Sequence, residues 1–238
     1  MSRVFQVFRS LVFTVFLYGS IVITAVLLSP VLLGPMRWAF GCVRLWARAV
    51  CAGFSAICDV KIEVRGLEHR PTGPALIAAK HQGMFDVVIP FTFLDEPCFV
   101  LKKELRALPF FGWFAWKLRM IAVDRQAHAK ALRKLVTDSR TRLADGRQII
   151  IFPEGTRTQP GAQGDYKPGV AALYRDLGLP CHLIATNSGQ CWPAHGFIRK
   201  PGKVVFEFLE PIPAGLKRAE FMAELERRIE TASRALLT

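Results

Sequence analysis

An uncharged apolar run near the amino terminus is the feature that most constrains this chain. Residues 11–33 carry no charge and come close to the roughly 20 residues that a helix needs to cross the hydrocarbon core of a bilayer. A secretory signal peptide has a shorter apolar region and a small-x-small cleavage site, and neither feature fits here. We therefore expect this segment to contact lipid.

A second apolar stretch, residues 38–58, follows a break at residues 30–35 that contains proline and glycine. Arg37, Arg44 and Arg48 are separated by seven and four residues, which places all three on one face of a helix. Apolar residues fill the other side of that helix. The sequence thus predicts a second lipid-associated helix after the first.

The distribution of arginine predicts how these two helices meet the membrane. Residues 1–58 contain five arginines, no lysine and no acid, and the arginines flank the apolar run on both sides. A simple spanning helix shows a positive excess on one side only. We therefore predict a membrane-associated helical hairpin over residues 1–58, dipped into one leaflet at the cytoplasmic face, as at a bacterial inner membrane. A single transmembrane anchor and a buried soluble helix are the alternatives.

Charge and cysteine content narrow the class of partner. Lys and Arg outnumber Asp and Glu by 32 to 19, which in so apolar a chain favours anionic membrane as the partner and argues against nucleic acid. The six cysteines include no CxxC pair and lack the spacing of a zinc site or a disulfide framework. They are interpreted as reduced, mostly buried thiols of an intracellular protein, and no metal site is predicted.

The remainder of the chain, residues 59–238, is predicted to form one α/β domain. Short β-type runs alternate with amphipathic helices, and the connections are long enough for crossovers, which favours a layered fold with a largely parallel or mixed sheet. Strands are predicted at residues 60–64, 75–79, 99–102, 148–152, 182–185 and 203–208, and helices at residues 131–143, 169–177 and 218–237.

The segment 80–86 (KHQGMFD), directly after a predicted strand, carries the first candidate chemistry. Within one ideal helix, His81 and Asp86 would lie about 140° apart and out of contact. They can meet if His81 lies in the strand-to-helix turn and Asp86 in the first helical turn. The carboxylate then accepts from imidazole Nδ1, and the other ring nitrogen can take a proton from a bound hydroxyl. The alternative is a merely structural polar pair.

The segment 152–158 (FPEGTRT) leaves the predicted strand 148–152 at its carboxyl end, where ligands bind in open α/β sheets. Gly155 allows close approach of backbone to a ligand, and Arg157 can bind a phosphate with two hydrogen bonds. Glu154 is expected to hold Arg157 or a glycerol hydroxyl. This is not a nucleotide-binding loop, because the Gly-x4-Gly-Lys pattern is absent. A surface turn with a salt bridge is the alternative.

Two further segments carry weaker signals. Residues 101–112 combine basic residues with a greasy loop that can meet lipid, and they lead to residues 123–125 (VDR). By themselves they are more typical of a solvated basic face over core aromatic residues. Residues 187–189 (NSG) are interpreted as a turn. Ser188 is disfavoured as a nucleophile because the Gly-x-Ser-x-Gly pattern is missing.

Taken in order, residues 81–86, 123–125, 152–157 and 187–189 form one pattern. It resembles that of the 1-acylglycerol-3-phosphate O-acyltransferase (lysophosphatidic acid acyltransferase) family of glycerolipid acyltransferases, over about residues 60–212. The resemblance implies a glycerolipid-acyltransferase-like fold with an N-terminal two-helix membrane motif. It also implies a catalytic pair, His81 and Asp86, and an acceptor-binding set composed of Glu154, Gly155, Thr156, Arg157, Lys102 and Arg125.

The activity that this resemblance implies is transfer of an acyl group from acyl-CoA or acyl carrier protein to the sn-2 hydroxyl of lysophosphatidic acid, giving phosphatidic acid without a metal or other cofactor. Lys80 stands where family members often have asparagine, and residues 184–186 lack a common proline. The acceptor therefore stays open to another lyso-lipid, such as lyso-ornithine lipid. A thioester or ester hydrolase that uses the same dyad is the alternative from another class, and a non-catalytic lipid-binding protein is a third.

Overall fold

The computed structural model describes residues 3–237, with the side chains of Arg125 and His128 left out of the description. Within this range the strands are β1 (Val60–Arg65), β2 (Ala75–Ala79), β3 (Pro97–Lys102), β4 (Ile121–Val123), β5 (Gln148–Ile151), β6 (Cys181–Thr186) and β7 (Gly202–Ile212). The α-helices are α1 (Arg3–Leu27), α2 (Met36–Cys58), α3 (Pro90–Phe93), α4 (Phe111–Lys117), α5 (His128–Ala144), α6 (Gly169–Leu177) and α7 (Arg218–Ala235).

The seven strands of the described range form one mixed sheet in the order β1-β7-β6-β2-β5-β3-β4. From β6 to β4 all neighbours are parallel, whereas β7 runs antiparallel to β6 and parallel to β1. The carboxyl ends of β2, β5, β3 and β4 therefore lie at one edge of the sheet, where ligands bind in such folds. The predicted mixed α/β sheet is confirmed.

Alternating side chains divide the core into two layers, one on each face of the sheet. In β2, Ala75, Ile77 and Ala79 pack on the face covered by α2, while Leu76 and Ala78 pack on the face covered by α5, α6 and α7. All five residues are buried, because this central strand is covered on both faces. The period-2 geometry of the strand thus sends consecutive residues into opposite layers.

The two N-terminal helices form a hairpin that packs on the sheet. Aromatic side chains of both helices join the core layer, and the rings of Phe13 and Phe54 lie 5.2 and 5.1 Å from the ring of Trp192. Phe54 also contacts Phe85, at 5.2 Å between ring centroids. The hairpin and the sheet therefore share one core. The division of the chain into two domains at residue 58 stays a prediction.

The outer face of α1 is largely apolar and exposed. Both α1 and α2 are long and apolar enough to cross a membrane. At one end, Arg9 donates to the carbonyl of Ile57 and pairs with Asp59, so the start of α1 lies beside the end of α2. The exposed apolar side chains of α1 are Val4, Phe5, Val7, Phe8, Leu11, Val12, Val15, Tyr18, Val22, Ile23, Val26 and Leu27.

Most predicted elements occur within a few residues of their predicted bounds. The one-turn helix α3 was not predicted, and two further regions differ. The greasy loop predicted within residues 101–112 runs into a helix that was not predicted, because Phe111 begins α4. Strand β4 was not predicted at all. Both elements are too short to show a hydrophobic period, and α4 is rich in aromatic residues with a glycine at Gly112, a composition of low helix propensity.

Candidate active site

The catalytic pair predicted from the sequence is in contact. His81 lies in the turn after β2, and Asp86 lies in a short 3-10 helix, Met84–Val87. The Nδ1 atom of His81 is 3.0 Å from Oδ2 of Asp86. The imidazole stacks on Phe152, with 4.0 Å between ring centroids, and is 13% exposed. Its Nε2 atom has no hydrogen-bond partner among the described residues.

Asp86 is buried and accepts hydrogen bonds from further groups of the chain. Its Oδ2 atom accepts from the backbone N–H groups of Gln82 (2.6 Å) and Gly83 (2.8 Å). Its Oδ1 atom accepts from the hydroxyl of Ser188. Because an ionised carboxylate can only accept hydrogen bonds, the Nδ1 atom of His81 donates to it, and in the neutral imidazole this leaves a lone pair on Nε2. This is the tautomer that a general base requires.

The turn that carries His81 is closely packed against the segment after β6. A Cβ atom on Gly83 would lie 2.5 Å from the carbonyl oxygen of Trp192, so no side chain fits there. Trp192 itself stacks against Phe85, which precedes Asp86 in the chain. A glycine at this turn is therefore a packing requirement of the site.

The second predicted segment binds the backbone of His81 on both sides. Glu154 accepts the backbone N–H of His81 through Oε2 at 2.9 Å, and the backbone N–H of Thr158 donates to the carbonyl of His81 at 2.8 Å. Between them, Gly155 adopts a positive φ of 65° and its N–H donates to Phe152, which closes the turn. The two motifs thus meet as expected, and the loop after β5 fixes the position of the candidate base.

Glu154 has a different partner from the expected Arg157. Its Oε1 atom lies 2.5 Å from Nζ of Lys80 and accepts from the hydroxyl of Thr158 at 2.7 Å. With 1% exposure, this carboxylate faces the protein interior. The predicted role of Glu154 in binding the acceptor stays a prediction, and its observed contacts hold the loop against the turn after β2.

The other predicted acceptor-binding residues lie at the same edge of the sheet. Arg157 and Thr156 are exposed, and the guanidinium of Arg157 has no partner within the described part of the chain. Lys102 ends β3, two strands from β2, so it starts about 10 Å from the strand that precedes His81. The side chain of Arg125 lies outside the described residues. Binding roles for all four stay predictions.

Comparison with known proteins identifies the family. The family model described as Acyltransferase matches residues 61–206 of the chain. The chain belongs to this family. In agreement with the predicted activity, it is an acyltransferase enzyme.

Relatives of this acyltransferase cover most of its length. A 1-acyl-sn-glycerol-3-phosphate acyltransferase of Pseudomonas aeruginosa is 34% identical over 228 residues, which cover 94% of this chain and 88% of that protein. A protein of the same name from Helicobacter pylori is 32% identical over 187 residues, 77% of this chain and 78% of that protein. The crystal structure of PlsC from Thermotoga maritima, an acyltransferase for 1-acyl-sn-glycerophosphate, superposes with a TM-score of 0.79. At 20% identity it covers 97% of this chain and 98% of its own, which shows a common fold.

Four polar residues make contacts within the candidate site that the sequence did not predict. In the sequence, Lys80 and Thr158 stand out only as members of the two motifs, and Ser188 only as part of a turn. Glu230 belongs to no motif. The contact of Thr158 is local, since its partner Glu154 lies only four residues earlier in the same segment. Ser188 and Glu230 meet their partners across 102 and 150 residues of sequence, so no local pattern indicates them.

Proposed function

We propose that this acyltransferase transfers an acyl group from acyl-CoA or acyl carrier protein to the sn-2 hydroxyl of 1-acylglycerol 3-phosphate, with His81 as the general base. One observation carries the proposal: Nδ1 of His81 is 3.0 Å from buried Asp86, while Nε2 has no hydrogen-bond partner in the described part of the chain. The names of the relatives from Pseudomonas aeruginosa and Helicobacter pylori support this acceptor.

The reaction needs no covalent acyl-enzyme. The acceptor hydroxyl gives its proton to Nε2 of His81 as its oxygen attacks the thioester carbonyl carbon. The C–S bond then breaks, and the leaving thiolate takes the proton from His81 to become a thiol. Asp86 stabilises the imidazolium that forms between the two transfers. Such a base contributes on the order of 10²–10⁴-fold to the rate.

The acceptor phosphate is assigned to Arg157, with Lys102 and Arg125 as further cationic residues at the same edge. Arginine suits this role because its planar guanidinium forms two parallel hydrogen bonds to a phosphate. The exposure of Arg157 and its lack of a partner among the described residues support the assignment, since an arginine already engaged by a carboxylate is a poor anion ligand. Glu154 and Gly155 shape the loop that presents it.

The acyl tail of the lyso-lipid acceptor lies, in this proposal, along the N-terminal helices or in the bilayer. We place the hairpin of α1 and α2 in one leaflet at the cytoplasmic face, because the ends of the hairpin meet at Arg9 and Asp59 and the outer face of α1 is apolar. The exposed aromatic residues of α4 lie beside the hairpin turn, where Lys117 donates to the carbonyl of Gly34. Aromatic side chains of this kind are favoured at the membrane–water interface.

A product assay tests the proposed reaction. The full chain, in lipid vesicles, is supplied with a labelled acyl group on CoA or on acyl carrier protein. Each assay also contains one lyso-lipid from a panel. Formation of labelled phosphatidic acid from 1-acylglycerol 3-phosphate is the expected result. A diacyl product formed only from another lyso-lipid would reassign the acceptor, and release of free fatty acid without a diacyl product would indicate hydrolysis.

A further inference from the structure

The residue before the candidate base, Lys80, is a buried lysine that is fully engaged by the protein. Its ammonium lies 2.5 Å from Oε1 of Glu154, 2.6 Å from Oε1 of Glu230 and 3.3 Å from the carbonyl of Ala162. An ammonium has three N–H donors, and three acceptors surround this one. Lys80 is therefore unavailable to a substrate phosphate, and its function lies within the protein.

The cluster around Lys80 joins segments that are far apart in the sequence. Lys80 follows β2, Glu154 follows β5, and Glu230 belongs to α7, beyond the region 61–206 that matches the family model. The hydroxyl of Tyr166 donates to Glu230 at 3.2 Å. Burial and the two nearby carboxylates raise the pKa of Tyr166, so this hydroxyl remains a donor.

The ammonium of Lys80 thus holds two buried carboxylates together, so the geometry of the cluster depends on this one cation. Without Lys80, Glu154 and Glu230 would face each other unpaired in a buried setting, where like charges repel strongly. Glu154 would then move, and its Oε2 atom is the acceptor for the backbone N–H of His81. The chain of contacts from α7 to the base is therefore continuous.

We propose that Lys80 and Glu230 are positioning residues, which act through Glu154 to fix His81 in the orientation that catalysis requires. The inference rests on the role proposed above for His81. Neither side chain contacts the reacting atoms. Their contribution belongs to the placement of the base, and so to turnover more than to substrate binding.

Kinetics of the full chain test the proposal. Glu230→Gln keeps the shape of the side chain but removes its charge, and we expect kcat to fall about 10-fold with both KM values within about twofold. Lys80→Met leaves the two carboxylates unpaired and should lower kcat by about 100-fold. Adding Glu230→Gln to Lys80→Met should recover part of that loss, because it removes one of the repelling charges. Glu224→Gln, the same change at a partly exposed glutamate of α7 that pairs with Arg227 and Arg228 instead of Lys80, should leave kcat unchanged.

A spectroscopic measurement reports on position without depending on the substrate. The chain is labelled with ¹⁵N-histidine in detergent micelles, and the amide signal of His81 is assigned by its loss in His81→Ala. We expect this signal to move in Glu230→Gln and in Lys80→Met, because the bond from the His81 N–H to Glu154 changes, and to stay in place in Glu224→Gln. Should Glu230→Gln fail to fold, Tyr166→Phe removes a donor from the same carboxylate and should move the same signal with a threefold or smaller loss of kcat.

Several results would overturn the proposal. They are an unmoved His81 signal in folded Glu230→Gln or Lys80→Met, a moved signal in either of these two variants with its kcat within twofold of the parent, or a double variant no more active than Lys80→Met. Turnover by His81→Ala in the same assays would reject the proposed role of the base instead. The two failures can be told apart, because the amide signal of His81 reports whether the cluster positions this residue even if His81 is not the base.

Discussion

At the scale of single residues, Asp86 accepts hydrogen bonds from three groups besides His81. A substitution of Asp86 therefore tests its charge only if these other bonds are kept. In Asp86→Asn, the carbonyl oxygen can accept the three donors at the Oδ2 position, and the new NH₂ group can donate to the hydroxyl of Ser188, which rotates to accept. The variant therefore keeps the geometry and loses only the charge that stabilises the imidazolium.

For the catalytic pair we expect His81→Ala to lower kcat by about 10²–10⁴-fold while the lyso-lipid still binds, and Asp86→Asn to lose most activity with an unchanged fold. Steady-state kinetics and an acceptor-binding titration check the two effects, and circular dichroism confirms the fold. Substantial turnover by His81→Ala would exclude the mechanism.

Ser188 gives a second prediction at this scale. Ser188→Ala removes the donor to Oδ1 of buried Asp86, and a hydrogen bond to a charged group contributes about 1.5–3 kcal/mol, so we expect kcat to fall about 10-fold or more. Ser139→Ala is a matched control, because Ser139 is a buried serine whose hydroxyl has no partner among the described residues. Equal activity of the two variants would mean that Asp86 needs no support from Ser188.

Substitution of Arg157 tests which of the two substrates its loop binds. We expect Arg157→Lys to raise KM for the acceptor about 10-fold and to leave KM for the acyl donor nearly unchanged, because a point charge cannot replace a two-bond contact to phosphate. Arg175→Lys, at an exposed arginine on α6 paired with Asp176, serves as the control. If the donor KM rises and the acceptor KM does not, the loop binds phosphates of CoA instead.

At the scale of elements, α2 supports the turn that carries the proposed catalytic pair. Phe54 is fully buried and contacts Phe85 and Trp192, which flank the turn that holds Asp86. We expect Phe54→Ala to lower the free energy of unfolding by about 3–5 kcal/mol. It should also lower kcat, because the turn loses its backing.

Leu45→Ala, on the exposed side of the same helix, is the matched control for Phe54→Ala. Its free energy of unfolding should stay within about 0.5 kcal/mol of the parent. Denaturant titrations of both variants in detergent measure the difference. Equal stability of the two would show that the hairpin does not share a core with the sheet.

At the scale of the whole molecule, the hairpin predicts a topology. We expect the apolar outer face of α1 to act as a membrane anchor that salt does not screen, so alkaline carbonate and high salt should leave the chain in the membrane fraction. Because a one-leaflet hairpin returns to its starting side, residues near both of its ends should be cytoplasmic.

Cysteine labelling decides between the hairpin and a spanning helix. Ser2→Cys and Lys61→Cys are introduced singly into a chain whose own cysteines are replaced, since Cys42 and Cys51 are only partly buried. In intact spheroplasts, a probe that does not cross membranes should label neither position. Labelling at Ser2→Cys but not at Lys61→Cys would show that the segment spans the bilayer.

The sequence alone determined those features whose signal is local. The bounds of β2 and α6 match their predicted ranges, because hydrophobic period and flanking turn residues act over a few neighbours. The contact between His81 and Asp86 was likewise predictable, since only five residues separate them. The two apolar helices followed from length and charge in the same way.

Only the tertiary structure decided which distant segments meet. The order of the strands places β5 beside β2, and this brings Glu154 and Thr158 to the backbone of His81. Ser188 reaches Asp86, and Glu230 reaches Lys80, through the packing of β6 and α7. No local propensity encodes these contacts, because each depends on how the whole chain folds back on itself.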